Sequence, residues 1–155
     1  MNSPSEDSAP YISADGLELY FFSNRPGGFG GFDAWLATRP TAGDPWGKPS
    51  NLGLPVNSSF TDGVDCLSAD GLEMYLDSNR AGGSGSWDIW VTTRQTKNDP
   101  WGEPLNLGPT VNSSTVDCAA IITTDGLLLF FQSNRPGGSG GDDIWVSTRT
   151  TKDDR

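Results

Sequence analysis

The sequence predicts an all-β fold of propeller type, built from blades of four-stranded antiparallel sheet, three per chain. Three observations predict it. The chain matches itself without a gap at a shift of 55 residues, and 18 of the 44 positions shared by all three units are identical. Twenty Gly and eleven Pro punctuate it at short intervals, which breaks up long helices. The stretches between them are strand-length and rich in aromatic and β-branched residues. Units of this size with several short strands each read as blades, not as helical solenoids.

The units run 2–56, 57–111 and 112–155, opening at Asn2-Ser3, Asn57-Ser58 and Asn112-Ser113. Together they make one half-propeller domain, 1–155. Strand one of each unit is expected at Ala9–Ser13, Val64–Ser68 and Ala119–Thr123. Asp15-Gly16, Asp70-Gly71 and Asp125-Gly126 follow as hairpin turns, where Gly supplies the positive φ of type I′ geometry. Strand two of the first unit is Glu18–Ser23, with Leu19 and Phe21 on one face and Tyr20 and Phe22 on the other. A strand apolar on both faces must be covered on both, and flanking blades would supply that cover. After a Gly-rich loop, Pro26 to Gly31, strand three is Asp33–Arg39, with counterparts around Ile89-Trp90-Val91 and Ile144-Trp145-Val146. Short outer strands fit near Pro49-Ser50-Asn51-Leu52 and Pro104-Leu105-Asn106-Leu107.

These residues resemble a known family. Ser-Ala-Asp-Gly, Leu-Tyr-Phe, Ser-Asn-Arg-Pro-Gly-Gly, Asp-Ile-Trp and Trp-Gly-Glu-Pro-Leu-Asn-Leu-Gly look like the WD40-like β-propeller repeats of bacterial envelope proteins, related to the propeller of the Tol translocation protein. The resemblance implies an extracytoplasmic location and a scaffold or binding role. The N-terminal segment itself, with no basic start and no apolar run, is not a signal peptide.

The third unit is 11 positions shorter than the other two, so it is expected to lack an outer strand. Closed propellers have about 4–8 blades. Three blades leave two end faces, each expected to expose apolar side chains. Two copies joined head to tail would close a six-bladed ring.

Composition excludes several functions. Twenty acidic against ten basic residues give a net charge of −10, which repels nucleic acid. No apolar run approaches the roughly 20 residues of a membrane helix. With no His, the usual general base and every Ser-His or Cys-His pair are missing. Cys66 and Cys118 occupy different positions in their units and read as free thiols. The expected function is therefore non-enzymatic: a module that pairs with itself and presents a face to a protein or a glycan. The alternative is a carbohydrate-active protein, a lectin or a hydrolase with an Asp/Glu pair, although no pair stands out among 20 acids. No cofactor is expected.

Several side chains are candidates for more specific roles. Asp7, Asp62 and Asp117 recur just before strand one. They read as structural hydrogen-bond acceptors for turn N–H groups or for the Arg of Ser-Asn-Arg, and alternatively as ligands of a structural cation such as calcium. Arg25, Arg80 and Arg135 recur eight residues before Asp33, Asp88 and Asp143, and are expected to pair with them across the Gly-rich loop. Trp35, Trp90 and Trp145 are packing anchors. Trp46 and Trp101, on the outer connection, and Phe29, Phe32 and Trp87, in or beside the Gly-rich loops, are candidate ligand contacts. Arg39, Arg94 and Arg149 read as solvated strand caps.

Overall fold

The computed structural model describes residues 2–151, and among them there are strands and no helix. Three antiparallel sheets follow one another along the chain. The first holds β1 (Asp7–Ile12), β2 (Glu18–Ser23), β3 (Asp33–Thr38) and β4 (Ser50–Asn51), in that order. The second repeats it with β5 (Asp62–Leu67), β6 (Glu73–Ser78), β7 (Asp88–Thr93) and β8 (Leu105–Asn106). The third has three strands among the described residues: β9 (Asp117–Ile122), β10 (Leu128–Ser133) and β11 (Asp143–Thr148).

The inner strands start two residues earlier than the sequence predicts. Each carries a bulge, marked by a register shift after Ser8, after Val64 and between the partners of Phe130 and Gln132. Ala9 and Ala119 accept positive φ there, 45° and 54°. The bulge breaks the period-two alternation, so the pairing of Asp7 with Ser23 beyond it is hidden from a pattern search.

The hairpins also differ from expectation. Gly16 N–H bonds the Ser13 carbonyl at 2.8 Å, and positive φ falls on Gly16, Gly71 and Gly126 but not on the Asp before each. This is a type I turn closed by a left-handed Gly, not type I′. The Ser-x-Asp-Gly chemistry explains the choice. Ser13 Oγ donates to Asp15 Oδ1 at 2.6 Å, and that same oxygen accepts from Leu17 N–H. The carboxylate thereby holds the turn from inside.

The sheets stack face to face. Tyr20, Ala34 and Val56 of the first unit pack on Val64, Met74, Leu76 and Trp90 of the second. Tyr75, Ile89, Val91 and Val111 then pack on Ala120, Leu129 and Phe131 of the third. Full burial of each large side chain is worth about 1.5–3 kcal/mol.

The Gly-rich loops are latches between units. Gly31 N–H reaches the Phe60 carbonyl at 3.1 Å, and Ser86 N–H reaches that of Thr115 at 3.0 Å. Trp87 also bridges Val116. A Cβ on Gly30 or Gly85 would lie 1.6 or 1.9 Å from those same carbonyl oxygens. Gly85→Val is therefore expected to cost on the order of 2 kcal/mol or more, read as a lower urea midpoint.

Candidate functional site

Three features of the molecule bear on its chemistry: the repeated Asp and Arg residues, an acid pair confined to the second unit, and the surfaces of the third sheet. In the first, the arginines do not pair with Asp33, Asp88 and Asp143. Arg25 binds Asp7, Arg80 binds Asp62 at 2.6 Å, and Arg135 binds Asp117 at 2.6 Å. The reason is register. Asp62 sits directly across from Ser78, so Arg80, two residues on, swings back over the strand end. Ser78 Oγ and Ser58 N–H complete the aspartate's shell. Asp7 and Asp117 have the same partners, Ser23 with Ser3 and Ser133 with Ser113.

Burial works against ionisation of Asp7 and Asp117, but the hydrogen bonds from Ser and Arg outweigh it and hold both carboxyls below the usual range. Arg80 and Arg135 also donate across the sheet boundary, to the carbonyls of Val56 and Val111. Removing the carboxylate would leave a mostly buried guanidinium uncompensated. Asp62→Ala is expected to destabilise by about 3–5 kcal/mol, measured by denaturant unfolding.

Asp33, Asp88 and Asp143 instead cap the Gly-rich loops. Asp33 accepts from Phe29 N–H at 2.6 Å, Asp88 from Ser84 N–H at 2.7 Å, and Asp143 from Ser139 N–H at 2.9 Å. Nor are Arg39, Arg94 and Arg149 solvated caps. Their Nε groups donate to the carbonyls of Gly16, Gly71 and Gly126. Arg39 lies 4.2 Å over the Trp46 ring and Arg94 lies 4.1 Å over Trp101. Both half-buried indoles thus have one face taken by a guanidinium. Of the loop candidates, Phe29 is exposed, whereas Phe32 and Trp87 are half-buried and accept, through their carbonyls, the N–H groups of Asp62 and Asp117.

The acid pair, Asp65 and Asp77, was not picked out by the sequence reading. Asp65 lies on bulged β5 and Asp77 on β6, and each has one sealed oxygen with no hydrogen-bond partner, Oδ2 and Oδ1 respectively. Burial raises both carboxyls, and mutual repulsion adds to the rise at Asp65, while N–H groups of Ala119 and Ala120 pull that one down. Asp77 is pushed up to about 7. The signal was available, because these positions break the repeat. The other units hold Pro10 and Ala120, or Phe22 and Gln132, there. Both thiols are free, and burial pushes each up to about 12.

The sign of the linkage follows from the raised values. An unfolded Asp ionises near 4, so stability held by the protonated pair is present below that pH and is lost as pH rises toward 7. Asp77→Asn removes the loss. It is expected to stabilise by on the order of 1–2 kcal/mol at pH 8, a rise in melting temperature of about 3–6 °C, with little effect at pH 4.

The third sheet carries two exposed features. Its far face shows Ile121, Phe130, Ile144 and Val146, with Ile144 83% exposed. The equivalents in the second unit, Cys66, Tyr75, Ile89 and Val91, are buried. Between the second and third sheets lies a cavity of about 300 Å³, lined by Tyr75, Val91, Leu107, Leu129, Ser147 and Arg149 among others. Arg149 bonds Glu73 at its rim, at 2.9 Å.

The opposite end is different. Exposed apolar walls were expected at both ends, but Phe21, Trp35 and Ala37 on the outward face of the first sheet are buried in a small cluster of their own. The Arg25 guanidinium lies 4.8 Å over Phe21 and 5.1 Å over Trp35. No protein-family model matches the chain, and no curated protein matches it.

Proposed function

We propose that the three sheets are propeller blades and that the chain is a non-enzymatic scaffold or binding module. Its end face docks on the first sheet of a second copy, closing a six-bladed ring. The observation that carries this reading is the far face of the third sheet, where Ile121, Phe130, Ile144 and Val146 are exposed at positions that are buried in the second unit and buried or half-buried in the first. A second feature points the same way. Gly140 keeps the glycine of the latch, yet a Cβ there would meet nothing within 4 Å. At Gly30 and Gly85 that space holds a carbonyl of the next unit. In a head-to-tail pair, the corresponding backbone of the incoming copy is that of Ser5.

The junction differs from the internal ones in charge. Arg149 reaches Glu73, and Arg94 lies 4.0 Å from Glu18, across the two internal boundaries. The third unit offers Leu128 at that position. Arg39 of the incoming copy is already satisfied by Trp46 and by the Gly16 carbonyl, so an apolar neighbour leaves no charge stranded. Light scattering is expected to give about 33 kDa, twice the 16.5 kDa chain. Ile144→Asp and Gly140→Val are each expected to return a folded protein of single-chain mass. A single-chain mass for the unaltered protein overturns the ring.

A further inference from the structure

We propose that the boundary between the second and third sheets is a proton-operated clasp: Asp65 and Asp77 keep the third sheet seated while they hold protons, and this boundary alone loosens as they ionise. The proposal stands apart from the ring, because it concerns a contact inside one chain.

The first boundary supplies the reference. There the Phe22 ring of β2 lies over Gly63 of β5, so close that a Cβ on Gly63 would fall 1.3 Å from it. One unit later the same two positions hold Asp77 and Cys118. The residue at the inner-strand bulge changes as well, from Pro10 to Asp65. An apolar contact has become a polar one, while the backbone ties around it repeat. Asp117 N–H bonds the Trp87 carbonyl as Asp62 N–H bonds that of Phe32.

Asp65 reaches across this boundary. The N–H groups of Ala119 and Ala120, at the bulge of β9, face its carboxyl. Its Oδ2 and the Oδ1 of Asp77 stay buried without a hydrogen-bond partner. Charged groups on the packed elements do not relieve them. Asp62 repels Asp77 and is itself bound to Arg80. On β9, Asp117 is bound to Arg135, and burial with both acids holds the Cys118 thiol protonated. Asp88 of β7 caps its loop, and at the opposite end of β6 Glu73 pairs with Arg149. From the first sheet, Asp7 pairs with Arg25, Asp33 caps its loop and Glu18 lies 4.0 Å from Arg94.

A buried oxygen without a donor is tolerable on a carboxylic acid and costly on a carboxylate. Asp65 sits well above the usual range and Asp77 at about 7, whereas a hydrated Asp ionises near 4. The seated boundary therefore binds these protons more tightly than the open one. Its advantage is complete below about pH 4 and is lost as pH rises through 7. Parting the third sheet from the second lets water reach both carboxylates. At the first boundary, parting would only expose Phe22.

Amide hydrogen exchange on the intact chain reads the two boundaries separately. Across the second, Ser86, Asp117 and Ile122 N–H bond the carbonyls of Thr115 and Trp87 and the Sγ of Cys66. Gly31 and Asp62 N–H are the counterparts across the first. Corrected for intrinsic exchange, opening at the second boundary is expected to rise at least about tenfold from pH 5 to pH 8, with Gly31 and Asp62 unchanged. Asp77→Asn is expected to cut that rise severalfold, and Asp65→Asn, as an independent variant, to do the same. An unchanged rise in either variant overturns the clasp. So does a rise that calcium suppresses in the unaltered chain, since a metal would then hold the bare oxygens. An equal rise at both boundaries overturns it too, as global unfolding, but spares the linkage of the acid pair to stability. No rise at either boundary overturns both.

Discussion

Arg80 is bound on one side to Asp62 at the head of its own inner strand and on the other to the Val56 carbonyl, the last link leaving the first sheet. The same guanidinium lies over Trp90, whose ring belongs to the core between the two sheets. One side chain therefore fixes the start of a sheet, the exit of the previous one and the packing of the indole between them. Arg135 repeats the arrangement with Asp117, Val111 and Trp145. Because the charge is mostly buried, the arrangement works only when complete. An aspartate, a serine hydroxyl and a backbone carbonyl must all be in place, and that requirement makes the sheet-to-sheet geometry specific rather than merely apolar.

Much of this was legible in the sequence, and the failures have physical causes. Glu18–Ser23 stands as predicted, because a run apolar on both faces and bounded by turn residues has few alternatives. The heads of the inner strands were misplaced because a bulge at Ala9 erases the alternation a reader relies on. The sequence offers two acids for the Arg. The pairing with Asp33 fails for a related reason, whereas the reading of Asp7 as an acceptor for the Arg of Ser-Asn-Arg matches the structure. Asp33 is eight residues from Arg25 in sequence, but Asp7 is the acid across the ladder from Ser23. Asp65 and Asp77 were missed because attention to recurring positions passes over the places where one unit departs from its siblings, and departures of this kind mark the costly arrangements.

That acid pair is set against the logic of the rest of the molecule. Elsewhere each buried carboxylate has a cation or several N–H groups, whereas Asp65 and Asp77 each keep an oxygen without any. Pro10 with Phe22, or Ala120 with Gln132, fill the same positions in units whose strands have the same bounds within the repeat. The fold therefore does not need the acids. They make the middle sheet alone sensitive to protonation near neutral pH.

The two ends of the stack are unlike for reasons that lie in single positions. At the first sheet, Arg25 covers Phe21 and Trp35, and Arg39 covers Trp46, so the outward wall is closed by cations lying on aromatic rings. At the third sheet, Leu128 and Phe130 replace the Glu-Tyr pairs Glu18–Tyr20 and Glu73–Tyr75, whose hydroxyl-to-carboxylate bonds sit on the equivalent faces of the other units. The replacement strips the last face of its polar contacts while leaving its shape. In the proposed ring this face would meet its partner by fit and buried area, without the ion pairs of the internal boundaries. The open space at Gly140 would there admit the backbone that fills it at Gly30 and Gly85, beside the exposed Ile144 and Val146.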